Sequence, residues 1–222
     1  MSKLEVIYEN NDYIVVNKAA GLISEQSPYE TITVESQVFN HILKSKRKPY
    51  VGIIHRLDRV TSGVLILAKK KSILVAFNTL FSSRKVQKTY LAIVKNKPAK
   101  NKGNLVNFLI KNNKEKKAEI VPSKSKGTQN CMLSYKVIGK NDIGYLLEVK
   151  PKTGRFHQIR AQLANIELPI VGDEKYGSDK KYMPLSVCLH AWKLTFEASD
   201  SKELITYEAP LPDNDFWKFK AI

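Results

Sequence analysis

Cysteine is scarce in this chain, with two in 222 residues. Cys131 and Cys188 lack metal-ligand spacing, which excludes a disulfide scaffold and makes a reducing, cytoplasmic setting the default. Cys188 lies in an apolar run and reads as a buried small hydrophobe. No apolar run is long enough to span a bilayer, and the charged first eleven residues do not read as a signal peptide. The chain also lacks a glycine-rich phosphate loop, a dinucleotide fingerprint, a zinc-ligand cluster and a His-x-Glu deaminase signature. Any chemistry must therefore run on side chains, with no metal and no cofactor. Acid is short as well: 21 Asp plus Glu against 37 Lys plus Arg leave a net charge of +16. Such a charge steers polyanions to the surface, and nucleic acid is the first candidate partner. A membrane surface is the weaker candidate, because no long basic amphipathic helix is visible.

What is present predicts a globular fold, with hydrophobic residues at 43%. Strand-like runs occupy 5–8 and 13–17, joined by Asn10-Asn11-Asp12. Val34, Val38, Ile42 and Leu43 give a helix over 33–43, closed by Lys44, Lys46, Arg47 and Lys48. Strands are expected at 51–54 and 63–68, and a helix over 72–81 with Ser72 as N-cap. Further strands are expected at 89–94, 105–110, 118–121, 132–138, 145–149, 187–190, 193–197 and 204–207, with a helix over 156–166. There is no regular βαβ alternation, so the fold class is α+β with a largely antiparallel mixed β-sheet and flanking helices. No linker or repeat divides the chain, which reads as one domain over 1–222. Residues 95–126 hold ten Lys and two acids and read as a Lys-rich hairpin, either a phosphate grip or a plain solvated hairpin.

Three clusters could carry chemistry. His55-Arg56-Leu57-Asp58-Arg59-Val60-Thr61-Ser62-Gly63 sets one carboxylate between two guanidinium groups on a loop between apolar runs. Neighbouring positive charge keeps such an acid ionised at neutral pH. Thr153-Gly154-Arg155-Phe156-His157-Gln158-Ile159-Arg160 surrounds a helix start, with Gly154 permitting a tight entry. Arg160 lies between the apolar Ile159 and Leu163, and a buried guanidinium requires a carboxylate; Asp58 is the candidate. The plainer reading of His157 and Gln158 is structural hydrogen bonding. In Lys88-Thr89-Tyr90, Tyr90 could offer a flat face to a ring or simply sit in a strand.

In order along the chain, these pieces resemble the RluA-type pseudouridine synthases. The resembling set is Val15 to Leu22, His55 to Lys69, Lys88 to Val94, Thr153 to Leu163, Leu168 to Asp173 with Tyr176-Gly177, and Leu189 to Ala191 with Leu194 and Phe196. The resemblance implies a pseudouridine synthase fold with a central catalytic cleft. It implies isomerisation of uridine in ribosomal or transfer RNA, with no cofactor and no metal. Asp58 would be the catalytic carboxylate, Arg160 its partner and Tyr90 the platform under the target base. Arg56 would fill the space left by the extruded nucleotide or hold its phosphate. Arg59, Lys88, Arg155, His157 and Gln158 would contact RNA, and Ile159 and Leu163 would wall the pocket. The expected partner is an RNA stem-loop, with no membrane involved and a monomer as the default. Ala19 replaces a usual proline, Val60 stands where an acid is common, and Ile23 to Glu30 is unlike the usual loop. No separate S4-type RNA-binding domain is expected.

Overall fold

A computed structural model describes residues 4–198 and 202–221. Along the chain lie β1 (Glu5–Glu9), β2 (Tyr13–Lys18), α1 (Val34–Leu43), β3 (Gly52–Ile53), β4 (Ser62–Ala68), α2 (Lys71–Ser82) and β5 (Gln87–Val94). They are followed by β6 (Lys102–Asn112), β7 (Lys117–Val121), β8 (Gln129–Lys140), β9 (Tyr145–Pro151), α3 (Gln158–Ala164), β10 (Leu189–Glu197), β11 (Leu204–Glu208) and β12 (Lys220–Ala221). The mixed sheet and flanking helices make this an α+β fold. The chain divides into two compact units, one of residues 1–88 and 190–211, the other of residues 89–189 and 212–222.

In the first unit β2 pairs antiparallel with both β1 and β4, and β10 joins β4 in parallel through His190↔Ser62 and Ala191↔Gly63. β11 closes this sheet against β10. Ile14, Val15 and Val16 of β2 and Val64 to Ala68 of β4 are all buried, so both sheet faces need a cover. On one face, Phe77 of α2 meets Tyr13 and Phe196 edge-on, with centroids 5.5 and 5.0 Å apart. α1 presents Val34, Val38 and Ile42, one buried helical stripe, and Val34 lines a small cavity together with Val16. Its start is fixed by a capping box: Thr33 Oγ1 accepts from Ser36 N at 3.1 Å and Ser36 Oγ from Thr33 N at 2.9 Å. The N-cap of α2 is Lys70, not Ser72, and it makes no side-chain cap bond; Ser72 lies inside the first turn.

In the second unit the order is β5-β9-β8-β6-β7, all antiparallel, with β12 on β8. The Lys-rich segment folds as the hairpin β6–β7, from Phe108↔Val121 to Asn112↔Lys117. α3 is buried from Gln158 to Leu163 and shares a core with Leu109, Ala118 and Cys131. Two expected elements differ. The runs expected at 187–190 and 193–197 merge into one strand, β10, which starts only at Leu189 and continues through Ala191 and Trp192. The helix expected over 156–166 is shorter, because His157 adopts a left-handed conformation (φ 50°) and excludes Phe156.

Gly63 ends the loop that carries Asp58. Its φ is +113°, and a Cβ there would stand 2.2 Å from the Ala191 carbonyl oxygen, which is fixed backbone of the paired strand. Gly63→Ala should therefore destabilise the protein by about 2–4 kcal/mol, read by denaturant unfolding; a loss under ~1 kcal/mol would contradict this packing.

Candidate functional site

The Asp58 loop is held by the turn that follows β2. Thr61 N donates to Asp58 O at 3.0 Å, closing the loop on itself. Gly21 N donates to Arg59 O at 2.8 Å, and Arg59 Nε returns a bond to Gly21 O at 3.0 Å. Ser24 Oγ both donates to Leu57 O and accepts from Leu57 N, each at 3.1 Å. Beneath these bonds lies Lys18, 1% exposed, whose Nζ donates to the carbonyls of Ala19 (3.0 Å), Leu22 (2.7 Å) and Arg59 (3.2 Å). Burial lowers this ammonium to about 7, the Asp58 charge pulls it upward and Arg59 pushes it down again. In the sequence Lys18 stands inside the stretch Val15 to Leu22, just past the strand expected over 13–17, with no role of its own. The available signal was a lysine closing a strand with the apolar centre Ile14 to Val16, immediately before Ala-Ala-Gly.

Asp58 is half-buried, while Arg56 and Arg59 are exposed. Arg56 Nη1 donates to Glu25 Oε1 at 2.5 Å and Arg59 Nη1 to Glu30 Oε1 at 2.6 Å. His55 props the loop from behind. Its Nε2 accepts from Ile66 N at 3.2 Å and its ring stacks on Phe81 at 5.0 Å. Burial, aided by the Lys88 charge, pushes its pKa down to about 3, so it is neutral and acts as an acceptor. Burial also lowers the Lys88 ammonium.

The second unit holds the other predicted residues. Tyr90 is half-buried in the middle of β5, opposite Val149. Arg160 is 4% exposed and grips Asp173, itself 1% exposed, in a fork: Nε to Oδ2 at 2.6 Å and Nη2 to Oδ1 at 2.8 Å. Tyr176 lies under the guanidinium, 5.0 Å from its centroid. The buried arginine thus has a carboxylate in its own unit, one that the sequence reading did not pair with it. Asp58 belongs to the first unit.

Tyr176 Oη accepts from Ala118 N at 2.7 Å and lies 3.0 Å from His157 Nδ1. Burial, with Arg160, Lys175 and Lys111 adding to it, lowers His157 to about 3. Its neutral ring stacks on Phe156 at 3.8 Å. Gln158 is 3% exposed; its Oε1 accepts from Thr153 Oγ1 (2.7 Å) and Arg155 N (3.1 Å), and its Nε2 donates to Met132 O (3.0 Å). This amide, not Gly154, shapes the helix entry: Gly154 has no positive φ, and the left-handed residue is His157. Arg155 is exposed, with Nε on Asn130 O at 3.3 Å, and Ile159 and Leu163 are buried. Among the described residues no cluster of His, Cys, Asp or Glu could hold a metal ion, and no helix is long and apolar enough to cross a membrane.

Comparison with known proteins yields consistent matches. Residues 12–165 match the family model described as RNA pseudouridylate synthase. The chain is 30% identical to tRNA pseudouridine synthase C of Vibrio parahaemolyticus, over 95% of this chain and 92% of that protein. It is 34% identical to ribosomal large subunit pseudouridine synthase D of Borreliella burgdorferi, over 87% of this chain and 61% of that longer protein. The fold matches that of human RNA pseudouridylate synthase domain containing 4, with a TM-score of 0.78 and 23% identity over 94% of this chain and 89% of that one.

Two outcomes follow from these geometries. Lys18 is folded near 7 against 10.5 when free, so between those values the unfolded chain binds more protons. Its charged-state penalty is fully present below about pH 7 and is relieved as pH rises towards 10.5. Unfolding free energy should therefore carry an upward slope across that window, at most about 1.4 kcal/mol per pH unit, that Lys18→Met removes. An identical slope in the variant would refute this account. Asp173→Asn strips the partner from a buried guanidinium and should cost about 3–5 kcal/mol in denaturant unfolding; a loss below ~1 kcal/mol would mean that the fork is dispensable.

Proposed function

The chain belongs to the RNA pseudouridylate synthase family, and from that membership we propose that it converts uridine to pseudouridine in ribosomal or transfer RNA, with Asp58 as the acting carboxylate. The reaction is an isomerisation. The bond from N1 of uracil to C1′ of the sugar breaks, the detached base turns, and C5 bonds to C1′. The proton lost from C5 is matched by one gained at N1, so no redox partner or group donor enters the balance.

The observation that carries this reading is the mounting of Asp58. It sits half-buried on a loop fixed at Leu57 and Arg59 by five hydrogen bonds, close enough to Lys18 for its charge to be felt there. A carboxylate so fixed serves two routes: addition to the sugar carbon, or removal of the 2′ proton to give a glycal. Both require the ionised form, which the neighbouring cations favour. Tyr90 supplies the flat face under the detached base. Arg56, Arg59, Lys88 and Arg155, with the lysines of β6–β7, meet phosphates. Extruding a stacked uridine costs a few kcal/mol, which such contacts offset. A stem-loop target follows from the general preference of RNA-binding proteins for splayed bases.

The test uses ribosomal and transfer RNA from cells unable to make the modification, with chemical mapping of pseudouridine. The wild-type protein should form it, while Asp58→Asn should form none yet still bind the RNA. No product from the wild type, or product from Asp58→Asn, would overturn the proposal.

A further inference from the structure

The two arginines that flank Asp58 are not presented bare. Each carries a carboxylate from the short stretch of chain between β2 and α1, Glu25 on Arg56 and Glu30 on Arg59. This stretch is itself anchored. Ile23 and Ser24 carbonyls accept from Val34 N and Glu35 N, each at 3.1 Å, and Gln26 N donates to Glu35 Oε2 at 2.8 Å. Ser27 and Glu30 exchange backbone bonds around a tight turn, at 3.4 and 3.3 Å. The two acids are therefore held in position opposite the two guanidinium groups. Both pairs are open to water, with side-chain exposures of 67% and 45% for Arg56 and Glu25, and 42% and 33% for Arg59 and Glu30. Open pairs are weak and exchangeable. A phosphate offers the same planar, two-oxygen match to a guanidinium that a carboxylate does.

We infer that Glu25 and Glu30 are specificity-determining residues: they stand in for two RNA phosphates on Arg56 and Arg59 and yield those positions only to a strand that supplies both. The inference rests on the RNA reading above. In a chain of net charge +16, these carboxylates raise the threshold for indiscriminate anion binding at the point nearest Asp58. The exchange needs only side-chain rotation.

The experiment measures binding of a 15-nucleotide oligouridylate and of bulk transfer RNA by fluorescence anisotropy at fixed salt. Glu25→Gln and Glu30→Gln should each tighten binding by roughly 1.4- to 5-fold, and the double variant by roughly 2- to 30-fold, the worth of one and two exposed ion pairs. The gain from Glu25→Gln should vanish when Arg56→Gln is also present. Unchanged or weaker binding by the double variant would overturn the inference. So would a gain that persists without Arg56, because it would reflect net charge alone. Pseudouridine formation is scored separately, so its absence would refute the isomerase reading and leave the binding comparison standing.

Discussion

A single buried ammonium organises the first unit. Lys18 is 1% exposed and directs its three donors at carbonyls of residues 19, 22 and 59. Taking a charge out of water is unfavourable unless dipoles or an opposite charge replace the lost solvent. Here three carbonyl dipoles and the Asp58 charge do so. The backbone must bend to bring those oxygens together, and Gly21, at φ 88°, makes the reversal that turns the Leu22 carbonyl back onto Nζ. The same requirement draws Arg59 in and thereby sets where Asp58 sits.

The second unit buries its charge differently. Arg160 is neutralised by a forked carboxylate and covered by the Tyr176 ring. The neighbouring His157 avoids adding a like charge by remaining neutral. Tyr176 serves both residues, and through Ala118 it ties them to β7. The strained backbone at His157 persists because the Gln158 amide fixes Thr153 and Arg155 ahead of it and Tyr176 fixes its ring.

Much of this architecture is legible in the residues. The long alternating or apolar runs became strands close to their expected limits, and Asp58 fell on a loop, because periodicity and Gly-Thr-Ser punctuation report local geometry well. Errors and omissions arose where distant groups decide. Ser72 has the side chain of an N-cap, but the helix begins one residue earlier, at Lys71. Gly154 is the usual residue for a tight entry, but the side chain of Gln158 moved the left-handed turn onto His157. That Arg160 needs an acid follows from burial. That Asp173 supplies one depends on a fold-back of the chain after α3, which no local pattern encodes. Lys18 escaped notice because nothing in a strand pattern says which carbonyls will surround its end.

The parallel contact of β4 with β10 has a consequence for biosynthesis. Ser62 lies beside His190, and Ser62 Oγ and His190 Nδ1 are 2.8 Å apart across a separation of 128 residues. A ribosome makes the Asp58 loop well before the strand against which Gly63 is seated, which follows 128 residues later. Until then the nascent first unit has an open sheet edge beside β4, the kind of exposed ladder that invites wrong pairing. Acquisition of the native loop is therefore coupled to synthesis of β10, and a polypeptide truncated before β10 holds every residue of the loop without the strand that seats it.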